Sequence, residues 1–138
     1  MFDDIKIPMS SNPVDIPNLD KEEYLSKKDE SIDWKYSPFN HIKYSLTLSK
    51  DVMSSMGIDV EDREAITYAH SDGFCLVYIN NNAECSDTDK VALICHEAVH
   101  VWQEIRDAMG EESPSVEFEA YSIQKVFFDL LTMYQEQI

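Results

Sequence analysis

Glycine, cysteine and positive charge are all scarce in this chain, and each scarcity narrows what it can be. Three glycines (Gly57, Gly73, Gly110) among 138 residues leave little material for a long mobile lid. Three cysteines (Cys75, Cys85, Cys95) give neither an even disulfide framework nor a C-x-x-C metal pair. They point to a reduced intracellular compartment and to three small buried apolar side chains. Lysine and arginine number 11 against 27 acidic residues, a net charge of −16. So acidic a surface repels a phosphate backbone, so no nucleic-acid partner is expected. The same surface serves solubility, suits a basic protein partner or substrate, or imitates a phosphate backbone as a decoy. No basic and apolar leader opens the chain and no apolar run reaches membrane-spanning length. No membrane association is expected, and the cytoplasm is the simplest location.

What is present is concentrated between Val91 and Trp102, the run V-A-L-I-C-H-E-A-V-H-V-W. It holds the pattern H-E-x-x-H at His96, Glu97 and His100. Two histidines four residues apart share one side of a helix, a turn apart. Their imidazoles can then reach one ion at the roughly 2.0–2.1 Å that zinc prefers. Glu97 points about 100° around from His96, where it can accept a proton from a water on the metal without ligating the metal itself. The run is apolar on most faces, as a buried helix is, and a carboxylate and two imidazoles in a core helix need compensation. A metal supplies it. The bland alternative is a pair of hydrogen-bonded core histidines with Glu97 reaching the surface. Cys95 is no fourth ligand, since adjacent helical residues diverge by about 100°.

A third ligand is available after a turn. Gly110 ends the first helix, Pro114 follows as a breaker, and Ser113 or Ser115 caps a second helix running nearly to the C-terminus. A helical hairpin over so short a loop returns the second helix towards the middle of the first. Glu117 and Glu119 both lie in its opening turns, about 200° apart around the axis, so only one can face the metal.

His96-Glu97-Ala98-Val99-His100 followed by Glu117-Phe118-Glu119-Ala120 resembles the gluzincin-type zinc metallopeptidases of the zincin fold. The histidine pattern with Trp102-Gln103 after it also resembles short phage-encoded H-E-x-x-H proteins, and the whole is similar to bacterial peptidases that cleave repressors. The likeness spans roughly residues 66–131 and is strong only for the two helices. It implies Zn²⁺ held by His96, His100 and Glu117, with Glu97 as general base. It also implies a protein or peptide substrate, in a bacterial or phage-infected cell or in a virion. The family's pattern has Asp or Asn where this chain has Tyr121. A tyrosine there can hydrogen-bond a zinc-ligating histidine, donate to the oxyanion of the reacting carbonyl, or simply pack. His70 is a second candidate for the oxyanion. Beside the peptidase stands a reading from another class: a non-catalytic zincin-fold protein, acting as a virion component or as an acidic inhibitor of a basic host protein.

The remaining chain predicts an α+β fold, a minimal zincin-like domain over residues 31–138 that buries roughly two-thirds of its unfolded surface. A small antiparallel or mixed sheet is expected to pack on the H-E-x-x-H helix and the C-terminal helix. Ala65–His70 and Phe74–Ile79 read as strands of a hairpin turning at Ser71-Asp72-Gly73. Ile42–Leu48 alternates as a strand does, and Asp51–Met56 reads as a short helix before Gly57. Ser86 or Asp87 caps the motif helix. By the resemblance, a strand such as Phe74–Ile79 borders the cleft and pairs with extended peptide. Residues 1–30, with Pro8, Pro13 and Pro17, read as an extended arm anchored by Trp34, Tyr36 and Phe39.

Overall fold

The computed structural model describes residues 6–7, 32–81 and 84–138, the first two by their backbone alone. The expected arm over residues 1–30 lies outside the described residues, apart from Lys6–Ile7. The fold is α+β: a mixed sheet with helices on both faces. Its strands are β1 (Lys6–Ile7), β2 (Lys35–Tyr36), β3 (Lys43–Thr47), β4 (Ala65–His70) and β5 (Phe74–Ile79), in the order β1-β4-β5-β3-β2. The helices are α1 (Lys50–Ser55), α2 (Asp87–Met109) and α3 (Val116–Gln137).

Local chemistry explains where the elements begin and end. Between β4 and β5 the chain reverses through Ser71-Asp72-Gly73, where Gly73 takes φ +98°, a conformation that a Cβ disfavours. Ser86 caps α2 by accepting from Asp89 N–H, and Asp89 reciprocates to the Ser86 backbone, closing a capping box. At the far end Gly110 adopts φ 73°, and the N–H groups of Gly110 and Glu111 close on Asp107 and Arg106 carbonyls. Ser115 caps α3 through Phe118 N–H.

Strand alternation sorts the sheet into two buried faces. Tyr44, Leu46, Ala65, Ala69, Cys75, Val77 and Ile79 face α2 and α3. Ile66, Tyr68, Phe74, Leu76 and Tyr78 face α1 and the segment after it, meeting Met53, Met56, Ile58 and Val60. On the helical side α2 lies on β4 and β5, while α3 lies on β3 and against α2. Trp34 seals the other face, its ring edge-on to Phe74 at 5.4 Å with Lys43 Nζ 4.5 Å from its centroid. Phe39 reaches Phe118 at 5.1 Å. Of the three expected anchors Tyr36 and Phe39 are both exposed, at 64% and 46%.

Three expectations are corrected. Phe74–Ile79 is no cleft-bordering strand: β5 is hydrogen-bonded by β4 on one side and β3 on the other, so it has no edge to offer a peptide. Its unbroken apolar sequence is the signature of a strand covered on both faces. The motif helix is buried on one stripe rather than most faces; Ala92 and Cys95 stand exposed, as does Val91. The cysteines therefore differ, with Cys75 buried, Cys85 half-buried and Cys95 exposed. No described helix is long and apolar enough to cross a membrane.

Candidate metal centre

Every residue of the H-E-x-x-H pattern sits in the middle of α2, and the 100° step of the helix distributes them. Glu97 points into the sheet: it is fully buried, and Thr67 Oγ1 of β4 donates to its Oε1 at 2.5 Å. His96 and His100 stand beside it, half-buried, with ring centroids 5.0 Å apart and planes nearly perpendicular at 78°. Gln103 fixes one of the rings. Its Oε1 lies 2.9 Å from His100 Nδ1, so the amide and this ring nitrogen are within hydrogen-bond reach. Orienting a ligating imidazole through its other nitrogen is how metal sites hold a histidine in the right tautomer.

The opposite flank of α2 belongs to α3. Trp102 packs edge-on against Phe118 at 5.8 Å and donates from Nε1 to Glu119 Oε2 at 2.9 Å, with Arg106 Nη1 3.5 Å from the same oxygen. Counting back along the helix, His100 and His96 lie about 160° and about 120° from Trp102. Because α3 covers the β3 side, the histidine flank overlooks the other side of the sheet, where β4 is followed by β1.

This geometry separates the expected ligands. Glu119, not Glu117, is the acid that turns towards α2, and it meets Trp102 and Arg106 rather than the histidines. Glu117 is exposed in the first turn of α3. Among the described residues no group of three or more His, Cys, Asp or Glu is gathered so as to hold a metal ion. The fit to zinc thus rests on the His96–His100 pair, with Glu97 adjacent, and not on a His–His–Glu set.

Tyr121 and His70 also fall elsewhere. Tyr121 is 66% exposed and borders a cavity of about 320 Å³, lined by Phe39, Tyr44, Trp102, Phe118 and Lys125 among others, on the α3 flank of α2. Beneath that cavity Tyr44 donates to Asp129 Oδ2 at 2.5 Å, and Lys125 bridges Oδ1 at 3.0 Å. Burial first, then the Asp129 hydrogen bond and charge, push the Tyr44 phenol far above its ordinary range. His70 lies on the sheet face away from α2, stacked on Phe74 at 4.8 Å with Nδ1 3.4 Å from Asp72.

Thr67 was not singled out from the sequence, and Gln103 entered only as half of the Trp102-Gln103 pair. Thr67 is the polar residue that strand alternation turns towards the motif helix. Gln103 follows His100 by three positions, within reach on the same helical flank. Comparisons with protein-family models, curated proteins and solved structures return no match, so the site is read from its own residues.

Proposed function

We propose that the protein is a zinc-dependent peptidase acting on an intracellular protein substrate, with His96 and His100 holding the ion and Glu97 as general base. The convergence of the two imidazoles carries this reading: rings 5.0 Å apart, half-buried, with Gln103 Oε1 2.9 Å from His100 Nδ1. Zinc bound there would supply Lewis-acid activation of a water and of the peptide carbonyl. The chain's own part is positional. Gln103 orients His100, Thr67 holds one oxygen of Glu97, and the sheet beneath keeps the carboxylate in a dry, low-dielectric place where a proton transfer is strongly felt. The acidic surface favours substrates rich in lysine and arginine.

One observation favours the second reading, a non-catalytic zincin-fold protein that binds a basic partner, as a virion component or inhibitor. No three-ligand cluster is gathered among the described residues. Glu97→Gln separates the two readings, because it keeps the shape and the acceptor for Thr67 but removes the base. A peptide library rich in basic residues, read by mass spectrometry, should be cut by the zinc-loaded wild type and left intact by the variant. Equal cutting by both, or by neither, rejects the peptidase reading.

A further inference from the structure

Five aromatic side chains meet at the cavity on the α3 flank of α2: Phe39, Tyr44, Trp102, Phe118 and Tyr121. Phe118 links two of them, with Phe39 at 5.1 Å and Trp102 at 5.8 Å between ring centroids. The cavity measures about 320 Å³. A dry apolar cavity of about 150 Å³ takes up benzene, so this one has room for a two-ring group. Aromatic walls favour an aromatic guest, through edge-to-face and offset contacts. Lys125 borders the same cavity, tied to Asp129 at 3.0 Å, and its charge disfavours a cation inside.

The surface around the mouth shows what would carry such a ring. Glu117, Tyr121, Lys125 and Phe128 follow one another at spacings of four, four and three residues, all exposed, and so form one stripe of α3. That stripe runs about 16 Å along the helix. It is longer than a two-ring molecule can use, and matches about five residues of extended chain. The end of the helical hairpin that carries Glu117 also carries exposed Asp107, Glu111 and Glu112. A net charge of −16 repels a second copy of the chain and draws a basic partner. We propose that this cavity is the docking site for a protein partner that presents an aromatic side chain of tryptophan size beside lysines or arginines. The ring fills the cavity, Tyr121 and Phe128 cover the chain next to it, and Glu117 pairs with a neighbouring cation. Glu117 and Tyr121 thus serve on the flank of α2 turned away from the histidines. The site depends neither on the metal centre nor on cleavage.

The test uses the full chain and a fluorescein-labelled peptide, Gly-Lys-Lys-Ser-Trp-Ser-Lys-Lys-Gly. Fluorescence anisotropy should show saturable binding, weakened roughly tenfold or more when alanine replaces the peptide's tryptophan. Tyr121→Ala should weaken it roughly fivefold. Glu117→Lys should act by a similar factor that shrinks as salt is raised. Both residues are exposed, so both variants should fold. Methyl NMR should place the largest shifts at Ile105 and Val126, which line the cavity. No saturable binding, equal affinity for the tryptophan and alanine peptides, or methyl shifts away from the cavity overturns the proposal. Free indole binding as tightly as the peptide would make this a small-molecule site instead. A dimer of the free chain that Tyr121→Ala dissolves would assign the cavity to a second copy. Either result also overturns the proposal.

Discussion

Thr67 donates its hydroxyl to Glu97 Oε1 at 2.5 Å, tying the centre of β4 to the middle of α2. Both groups are buried, so the bond cannot be exchanged for one to water. Thr67→Val, which keeps the shape and removes the donor, should cost roughly 1–3 kcal/mol of unfolding free energy. Denaturant titration measures it. Glu97→Gln retains an acceptor for Thr67 and should lose much less. Equal losses for the two variants would mean that the contact is incidental.

The two glutamates at the head of α3 should behave oppositely. Glu119 receives the Nε1 hydrogen of the buried Trp102. Glu119→Ala leaves that indole N–H without its acceptor and should lower stability by about 1–2 kcal/mol. Glu117→Ala should leave the unfolding midpoint nearly unchanged and the zinc content intact. Loss of zinc in the Glu117 variant would restore the three-ligand set that the resemblance implies.

Tyr44 predicts an alkaline limit to stability. Its phenol keeps its proton in the fold well above the ordinary value of about 10, chiefly through burial and then through Asp129. The unfolded chain releases that proton first. Stability is therefore fully present below about pH 10 and falls as pH rises beyond it, by at most about 1.4 kcal/mol per pH unit from this group. Tyr44→Phe should be less stable at neutral pH, since Asp129 loses a donor, but should decline less steeply between pH 10 and 11 in urea titrations. Identical slopes would rule the phenol out as the cause.

Gly73 holds the hairpin between β4 and β5 at φ +98°, and a Cβ there would stand 2.7 Å from His41 Cδ2. Gly73→Ala should cost about 1–3 kcal/mol through backbone strain. Thermal unfolding checks this, and an unchanged midpoint would mean that the turn relaxes freely.

Much of this was legible in the sequence because the signals were local. The Asp72-Gly73 turn bounded β4 and β5, Gly110 marked the end of α2, and the cap candidates Ser86 or Asp87 and Ser113 or Ser115 bracketed the helix starts, of which Ser86 and Ser115 are the caps. Sheet order was not legible. The strands beside β4 and β3, Lys6–Ile7 and Lys35–Tyr36, have two residues each, too few for any alternation to register. The unbroken apolar run of Phe74–Ile79 is the mark of a central strand, yet the resemblance places a peptide-pairing strand there, which its pairing with β3 and β4 overturns. At the site, the H-E-x-x-H spacing fixed which residues share a flank of α2. Which flank α3 would cover depended on long-range packing of Trp102 on Phe118 and Glu119, and this left Glu117 and Tyr121 away from the histidines.

The central claim is that His96 and His100 form a metal site, and metal content tests it most directly. Elemental analysis of the purified protein after zinc reconstitution, beside His96→Ala and His100→Ala, should find one zinc per chain in the wild type and little in either variant. No zinc in the wild type, or zinc retained by both histidine variants, would contradict the account. His96 and His100 would then be ordinary half-buried histidines on a structural helix.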